Sequence, residues 1–298
     1  MNILFRADSS SIIGIGHIMR DLVLAKQYKN SNITFATQNL DGNINHKIIE
    51  AKYKLKILKS NNIKELNNLI KKLQIDMIVI DNYDINYKFE KQLKNKNLTL
   101  KILSFDDTYE KHYCDILLNH NIGAYKKRYK NLVPKNCDIR CGTKYTLLRD
   151  EFIKEKNKIY KPNKNKTIFI AMGGADHTNV NIKILKTLNS FNNIKINIVT
   201  TTANQNLKEL KKYCKNKSWI DLNINSTKIA KLMKKSDFAI VTPSVTLNEV
   251  YFMNLPFIAI KTANNQKDIY RYLKTKKYNV LKKFNKRKLK KSLLKILK

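Results

Sequence analysis

The chain has 298 residues, with 59 Lys or Arg against 23 Asp or Glu, which gives a formal net charge of +36. Its apolar fraction of 43%, with 15 Tyr and 11 Phe, excludes disorder over most of the chain, because disorder requires few aromatic and branched side chains. This length favours two domains, each large enough to bury its own core.

The excess charge comes almost entirely from Lys and is spread over nearly every segment. Asn and Ile are enriched with it, and because all three have A/T-rich codons, a biased genome is the leading explanation of the pattern. A protein that binds nucleic acid instead concentrates Arg and aromatic residues in one patch. We therefore expect no nucleic-acid partner, while another anionic partner, such as a nucleotide, stays open.

The chain has four cysteines, and none shows the paired spacing of a zinc site. They are Cys114, Cys137, Cys141 and Cys214. Free thiols fit a reducing compartment. The first residues lack a basic start before an apolar stretch, and no apolar run reaches the length of a membrane span. These features predict a cytoplasmic protein without a transmembrane segment.

Short apolar runs alternate with helical patterns along the chain, which predicts parallel sheets covered by helices. Strands are predicted over residues 2–5, 32–37, 77–80, 98–105, 115–118, 167–172, 194–200, 238–241 and 257–260, and helices over 18–28, 63–73, 229–233 and from 248. The polar segment 156–166, with Pro162, predicts a linker. The expected fold is α/β, with two Rossmann-like doubly wound domains over residues 1–155 and 167–298.

A long loop follows the first predicted strand and leads into the first helix. Gly14 and Gly16 permit a tight turn, and the helix start behind them suits a phosphate or a developing anion. Asp8 lies in the same loop. A dinucleotide site is an alternative, but its third small residue would fall at Met19. His17 stands where the helix field disfavours an imidazolium, which suits a general base, although a structural role at a helix start stays open.

Three further strand ends in the first half carry polar side chains. They are Asp81, Asn82 and Tyr83, then Asp106 and Asp107, then Asn119, His120 and Asn121. Each group on its own can be a turn or a helix cap. Since ligands of doubly wound sheets bind beyond the carboxyl ends of the strands, their convergence at one edge also predicts a site.

The second half repeats this arrangement. The Gly173-Gly174 pair lets the backbone approach a phosphate, or forms a simple turn. Ser244 opens a helix as an N-cap or as a diphosphate donor, with Glu249 placed to accept ribose hydroxyls. The Asn265-Gln266 pair is either a polar turn or a source of amides for sugar hydroxyls.

The C-terminal run, residues 281–298, is rich in Lys and places apolar residues near helical spacing. These are Leu281, Phe284, Leu289, Leu293 and Leu297. Such a helix can lie on an anionic membrane, but a surface helix packed on the body of the protein is the simpler interpretation.

These motifs together resemble the UDP-2,4-diacetamido-2,4,6-trideoxy-beta-L-altropyranose hydrolase family of pseudaminic acid biosynthesis. The resemblance begins in residues 4–11, Leu-Phe-Arg-Ala-Asp-Ser-Ser-Ser, and in residues 14–18, Gly-Ile-Gly-His-Ile. It continues through residues 21–28, 80–83, 102–107, 114–119, 140–142, 172–176, 229–233, 248–249 and 265–266. It therefore spans nearly the whole chain.

The resemblance implies a glycosyltransferase B type fold, similar to the lipid II glycosyltransferase. It implies inverting hydrolysis at the anomeric carbon with release of UDP, without a metal or cofactor, on the way to flagellin glycosylation. The family's catalytic histidine falls on His17 and its motif tyrosine on Tyr83. The predicted substrate contacts are Asp8, Gly14, Gly16, Asn119, Gly173, Gly174, Ser244, Asn248, Glu249, Asn265 and Gln266.

We expect a monomer whose partner is a UDP-sugar, with UDP bound mainly by the second domain. Two other functions stay open at this point. One is a glycosyltransferase of the same fold that moves the sugar to an acceptor, and the other is a non-catalytic basic protein that binds nucleic acid.

Overall fold

The computed structural model describes residues 1–161, 164–176 and 178–296. The chain divides into two compact units, Met1–Leu147 and Leu148–Lys298. Each unit contains one parallel β-sheet with helices between its strands, so the predicted α/β class is confirmed.

The first unit has seven strands in the order β3-β2-β1-β4-β5-β6-β7. The strands are β1 (Asn2–Ala7), β2 (Asn32–Gln38), β3 (Lys54–Leu58), β4 (Met77–Asp81), β5 (Lys101–Phe105), β6 (Ile116–Asn119) and β7 (Asp138–Cys141). The helices are α1 (Gly16–Ala25), α2 (His46–Glu50), α3 (Ile63–Lys72) and α4 (Tyr87–Lys96). The strand order reverses between β1 and β4, where doubly wound sheets bind ligands.

Apolar side chains cover both faces of the first sheet, because successive residues of a strand point to opposite sides. Phe5 packs with Ile18 of α1 on one face, and Leu4 packs with Leu66 of α3 on the other. With both faces buried, the central strands consist of nearly continuous apolar residues.

The second unit has six strands in the order β10-β9-β8-β11-β12-β13. The strands are β8 (Lys166–Ala171), β9 (Ile194–Thr200), β10 (Ile220–Ile224), β11 (Phe238–Val241), β12 (Phe257–Ile260) and β13 (Val280–Leu281). The helices are α5 (Asp150–Lys156), α6 (Val180–Leu188), α7 (Leu207–Cys214), α8 (Ile229–Lys234), α9 (Val245–Phe252), α10 (Lys267–Thr275) and α11 (Lys286–Ile296). The reversal point lies between β8 and β11.

The contacts of α5 assign it to the second unit, so the division comes earlier than the predicted domain end at residue 155. The backbone N–H of Ala230 donates to Glu151 at 3.2 Å, and Lys234 donates to the carbonyl of Lys156 at 2.7 Å. Both contacts join α5 to α8. Pro162, in the predicted linker, lies outside the described residues.

The basic C-terminal helix α11 packs its apolar side on the core of the second unit. Leu289 and Leu293 are fully buried there, while Leu281 belongs to β13. This is the arrangement expected of a surface helix, because the side that a membrane would contact is already covered. Leu297 lies outside the described residues. Within the described ranges, no helix is long and apolar enough to cross a membrane.

Candidate active site

The loop after β1 places His17 in the first turn of α1. Gly14 has a φ of 87°, a conformation that favours glycine, and its backbone N–H donates to the carbonyl of Ser10 at 2.8 Å. The loop therefore turns back before α1 begins at Gly16. His17 is consequently held at the carboxyl edge of the sheet.

His17 pairs with the carboxylate of Asp81, the last residue of β4. His17 Nδ1 lies 2.7 Å from Asp81 Oδ1, and both side chains are buried. An ionised carboxylate can only accept hydrogen bonds, so we assign the imidazole proton to Nδ1 and the lone pair to Nε2. Within the described part of the chain, Nε2 makes no hydrogen bond. The pair therefore has the geometry of a general base and the group that orients it.

Arg20 fixes the position of this carboxylate from one turn further along α1. Its Nε donates to Asp81 Oδ2 at 2.6 Å, and its Nη2 donates to Asp81 Oδ1. Burial opposes the charge on Asp81, but Arg20 and then His17 outweigh it and hold the pKa of Asp81 well below its usual value. Asp81 is therefore ionised throughout the physiological range.

The same guanidinium reaches the end of the next strand. Arg20 Nη1 donates to the two oxygens of Asp107 at 2.9 and 3.2 Å. Asp107 also accepts from Asn121 Nδ2 at 2.7 Å. The ends of β4, β5 and β6 thus converge through one arginine. Sequence reasoning gave Arg20 no role, although its three-residue spacing from His17 places both on one helix face.

Tyr83 lies against His17 and is tied to the same network. The two rings meet edge to face with centroids 5.0 Å apart, and the Tyr83 hydroxyl donates to Asp107 Oδ2 at 2.8 Å. Its side chain is 51% exposed, so the ring remains accessible to a ligand. The structure therefore brings the two predicted catalytic residues together.

Asp8 and Asn119 lie at the same edge but are engaged in internal contacts. Asp8 accepts from both Nη atoms of Arg6, at 2.8 and 2.6 Å, and from the backbone of Gln38 and the side chain of Asn82. Asn119 donates to the Tyr129 hydroxyl at 2.9 Å. Both are nearly fully buried, so their observed contacts organise the loops around the site. A direct contact of either with substrate stays a prediction.

His120, beside Arg20, predicts a loss of stability in acid. Burial, and then the charge of Arg20, lowers its pKa from 6.5 to about 4. Between these values the unfolded chain binds a proton that the folded protein does not, so the free energy of unfolding decreases as the pH is lowered, by at most about 1.4 kcal/mol per pH unit. We expect His120→Gln to flatten this slope in denaturant titrations from pH 7 to 4.

His112 supplies a control of opposite sign. Burial opposes its charge, but Asp106 and Glu90 outweigh burial and raise the pKa of His112 from 6.5 to about 10. Its contribution to stability is complete below pH 6.5 and is lost as the pH rises toward 10. His112→Gln should therefore remove the decrease of the free energy of unfolding at alkaline pH and leave its decrease in acid unchanged. If the decrease in acid persists in His120→Gln, it does not come from His120.

In the second unit, two loops follow the neighbouring parallel strands β8 and β11, where the strand order reverses. Gly173 has a φ of 83°, and no described residue other than its two chain neighbours has an atom within 4 Å of a Cβ built on it. A Cβ on Gly174 would lie 3.0 Å from the side chain of Thr201, so this glycine allows close packing. Ser244 precedes α9, and its hydroxyl lies 2.9 Å from that of Thr242, without capping the helix.

Glu249 lies in α9 and is paired through only one of its oxygens. Arg149 donates to Oε1 from Nη2 at 3.0 Å and from Nε at 3.2 Å. Oε2 makes no hydrogen bond within the described residues. Burial raises the pKa of Glu249, and Arg149 offsets part of that rise. Sequence reasoning did not find Arg149, because no local pattern links residues so far apart in the chain.

The remaining predicted contacts lie on α9 and after β12. Asn248 is buried in α9, and Asn265 lies in the short 3₁₀ turn Asn264–Gln266. Gln266 Oε1 accepts from the backbone of Thr262 at 2.8 Å and of Ala263 at 3.2 Å. Gln266 therefore shapes this loop. Among the described residues, no cluster of His, Cys, Asp and Glu is arranged to hold a metal ion.

No protein-family model matches the chain. It is 43% identical over 282 residues to the UDP-2,4-diacetamido-2,4,6-trideoxy-beta-L-altropyranose hydrolase of Campylobacter jejuni, covering 94% of this chain and 98% of that protein. It is 31% identical to the uncharacterized protein MJ1062 of Methanocaldococcus jannaschii, covering 91% of this chain and 57% of that protein. The spore coat polysaccharide biosynthesis protein SpsG of Bacillus subtilis is 23% identical, over 66% of this chain and 59% of its own.

Solved structures agree on the fold. Acinetobacter baumannii MurG superposes with a TM-score of 0.64 at 12% identity, covering 100% of this chain and 91% of that one. The spinosyn rhamnosyltransferase SpnG superposes with a TM-score of 0.68 at 10% identity, covering 100% of this chain and 92% of that one. The MnaA–UDP complex of S. aureus superposes with a TM-score of 0.66 at 13% identity, covering 99% of this chain and 87% of that one. The glycosyltransferase B type fold is thereby confirmed.

Proposed function

Because the chain belongs to the family of UDP-2,4-diacetamido-2,4,6-trideoxy-beta-L-altropyranose hydrolases, we propose that it removes UDP from that sugar nucleotide. Water attacks the anomeric carbon, the bond from that carbon to the diphosphate oxygen breaks, and the configuration inverts. The high identity over almost the full length of the Campylobacter jejuni hydrolase carries this proposal. The buried His17–Asp81 pair supplies a group able to activate the water.

In the proposed mechanism, His17 Nε2 takes a proton from the attacking water. The developing imidazolium is stabilised by Asp81, which accepts from Nδ1 and is itself held by Arg20. An inverting hydrolysis requires this water on the side of the sugar opposite the leaving group. Tyr83, packed edge to face on His17, is suited to position the sugar beside the base.

UDP becomes a good leaving group once its charge is stabilised. The backbone N–H groups at the start of α9 and the open turn at Gly173 offer donors for a diphosphate without a cation. The Oε2 atom of Glu249 is available to accept a ribose hydroxyl. These roles for the second unit follow from its chemistry and from the family pattern.

Glu249→Gln should weaken substrate binding more than it slows the chemistry. A ribose contact is the same in the ground and transition states, so its loss raises KM and leaves kcat almost unchanged. A hydrogen bond to a charged acceptor contributes about 1.5 kcal/mol, which corresponds to roughly a tenfold rise in KM. Steady-state kinetics and UDP calorimetry measure the effect. A large fall in kcat at unchanged KM would contradict the ribose assignment.

We expect turnover without a divalent cation, because helix and loop N–H groups can take the place of Mg²⁺ at the diphosphate. EDTA followed by dialysis should leave kcat unchanged, and added Mg²⁺ or Mn²⁺ should not raise it. Activity that is lost in EDTA and restored by either cation would refute this.

Incubating the purified protein with the UDP-sugar and no acceptor tests the proposed function. We expect stoichiometric UDP and free sugar, measured by NMR. A protein that leaves the UDP-sugar intact until an acceptor is added is a transferase of the same fold. Tight binding to random DNA that weakens steeply with salt, without any turnover, would favour the nucleic-acid alternative.

A further inference from the structure

Asp21 is a buried carboxylic acid that the mechanism above does not use. It follows Arg20 in α1, lies one turn after His17, and is 0% exposed. Neither of its carboxyl oxygens has a hydrogen-bond partner within the described ranges. Buried polar side chains are nearly always paired, so a fully buried carboxyl without a donor requires an explanation.

The adjacent arginine has no donor left for Asp21. The Nε and Nη2 atoms of Arg20 are directed at Asp81, and its Nη1 is directed at Asp107. One positive charge is thus already shared by two carboxylates. A third carboxylate would be buried without a counter-charge or a hydrogen bond, which is far more costly than burying the neutral acid. The geometry therefore favours a protonated Asp21.

The titratable and charged groups around Asp21 come from α1, from the end of β4 and from the segments that follow β5 and β6. Arg20 and His17 lie on its own helix, and Asp81 lies at the end of β4. Asp107 and His120 contact the Nη1 end of the Arg20 guanidinium. Burial, and then the Asp81 carboxylate, raises the pKa of Asp21 well above its usual value, and Arg20 offsets part of this rise.

We propose that Asp21 is held in the folded protein as the neutral acid, and that its ionisation sets the alkaline limit of hydrolysis. This inference rests on the proposed function. When Asp21 loses its proton to solvent, the cluster gains a second uncompensated negative charge. That charge competes with Asp81 for Arg20. The Asp81 carboxylate is then no longer held in place, and His17 loses the group that orients it.

The test compares the wild type with Asp21→Asn, which resembles the neutral acid but cannot ionise. We expect Asp21→Asn to keep kcat within a few-fold near neutral pH. We also expect its alkaline limb to lie at least about one pH unit above that of the wild type. Asp21→Leu removes the same ionisation at similar volume and serves if the Asn variant does not fold. Superimposable alkaline limbs in wild type and variant would overturn the proposal.

Thermal melting gives a readout that does not depend on activity. A folded Asp21 keeps a proton that the unfolded chain releases in mild acid, so the wild-type Tm relative to Asp21→Asn should fall as the pH rises and level off once Asp21 ionises. The exposed Asp84→Asn variant corrects for the loss of one carboxylate. If Tm depends on pH in the same way in the wild type and in Asp21→Asn, the inference is overturned even if hydrolysis is observed. If the two Tm curves differ but the UDP-sugar is not hydrolysed, Asp21 is the neutral acid and the proposed function is wrong.

Discussion

His17→Asn should lower kcat by about 10²–10⁴-fold, because a positioned general base contributes that much to a proton transfer. Asn keeps a polar group of similar reach but cannot take a proton from water. The groups proposed to bind UDP belong to the second unit, so UDP affinity should change little. Rapid quench at saturating substrate measures the loss, and calorimetry measures UDP binding.

His46→Asn is the matched control, because His46 is exposed at the start of α2. It should leave kcat unchanged. If His17→Asn retained near-normal kcat while folding and binding UDP normally, His17 would be a structural residue of the helix start. The base would then have to be sought among the neighbouring polar groups, beginning with Tyr83 and Asp8.

Asp81→Asn should lower both activity and stability. The amide can no longer hold Nδ1–H on His17 as a charged acceptor does, so the wrong tautomer becomes accessible and kcat should fall by about 10²–10⁴-fold. Arg20 loses a buried partner but keeps Asp107, so we expect a loss of about 3 kcal/mol in the free energy of unfolding. Denaturant titration and steady-state kinetics separate the two effects.

Asp107→Asn provides the comparison, because it weakens the other contact of Arg20 and leaves the His17–Asp81 pair intact. It should reduce stability by a similar amount but retain more kcat than Asp81→Asn. Equal losses of kcat in the two variants would show that Asp81 acts through the integrity of the network rather than by orienting His17.

The interior of both sheets could be predicted from the sequence, whereas their edges could not. All nine predicted strands are present as β1, β2, β4, β5, β6, β8, β9, β11 and β12. The four strands that the apolar runs did not reveal, β3, β7, β10 and β13, are the edge strands of the two sheets. An edge strand is partly exposed and carries polar residues such as Lys54, Lys56 and Asp138, so it lacks a continuous apolar run.

For the site, local sequence patterns revealed individual residues but not the contacts between residues far apart in the chain. Gly14, His17 and the polar strand ends could be found because a parallel sheet brings the ends of its strands to one edge. The ion pairs that orient these groups could not be found, since Arg20 meets Asp81 and Asp107 only after the strands pair. The unpartnered state of Asp21 likewise depends on where each donor of Arg20 is directed.

Hydrolysis in ¹⁸O-labelled water tests most directly whether this protein activates water for attack on the anomeric carbon of a UDP-sugar. We predict that the label enters the sugar and not UDP, that the sugar first appears with inverted anomeric configuration by NMR, and that His17→Asn slows both signals together. Label found in the released UDP, or a sugar formed with retained configuration, would contradict the account.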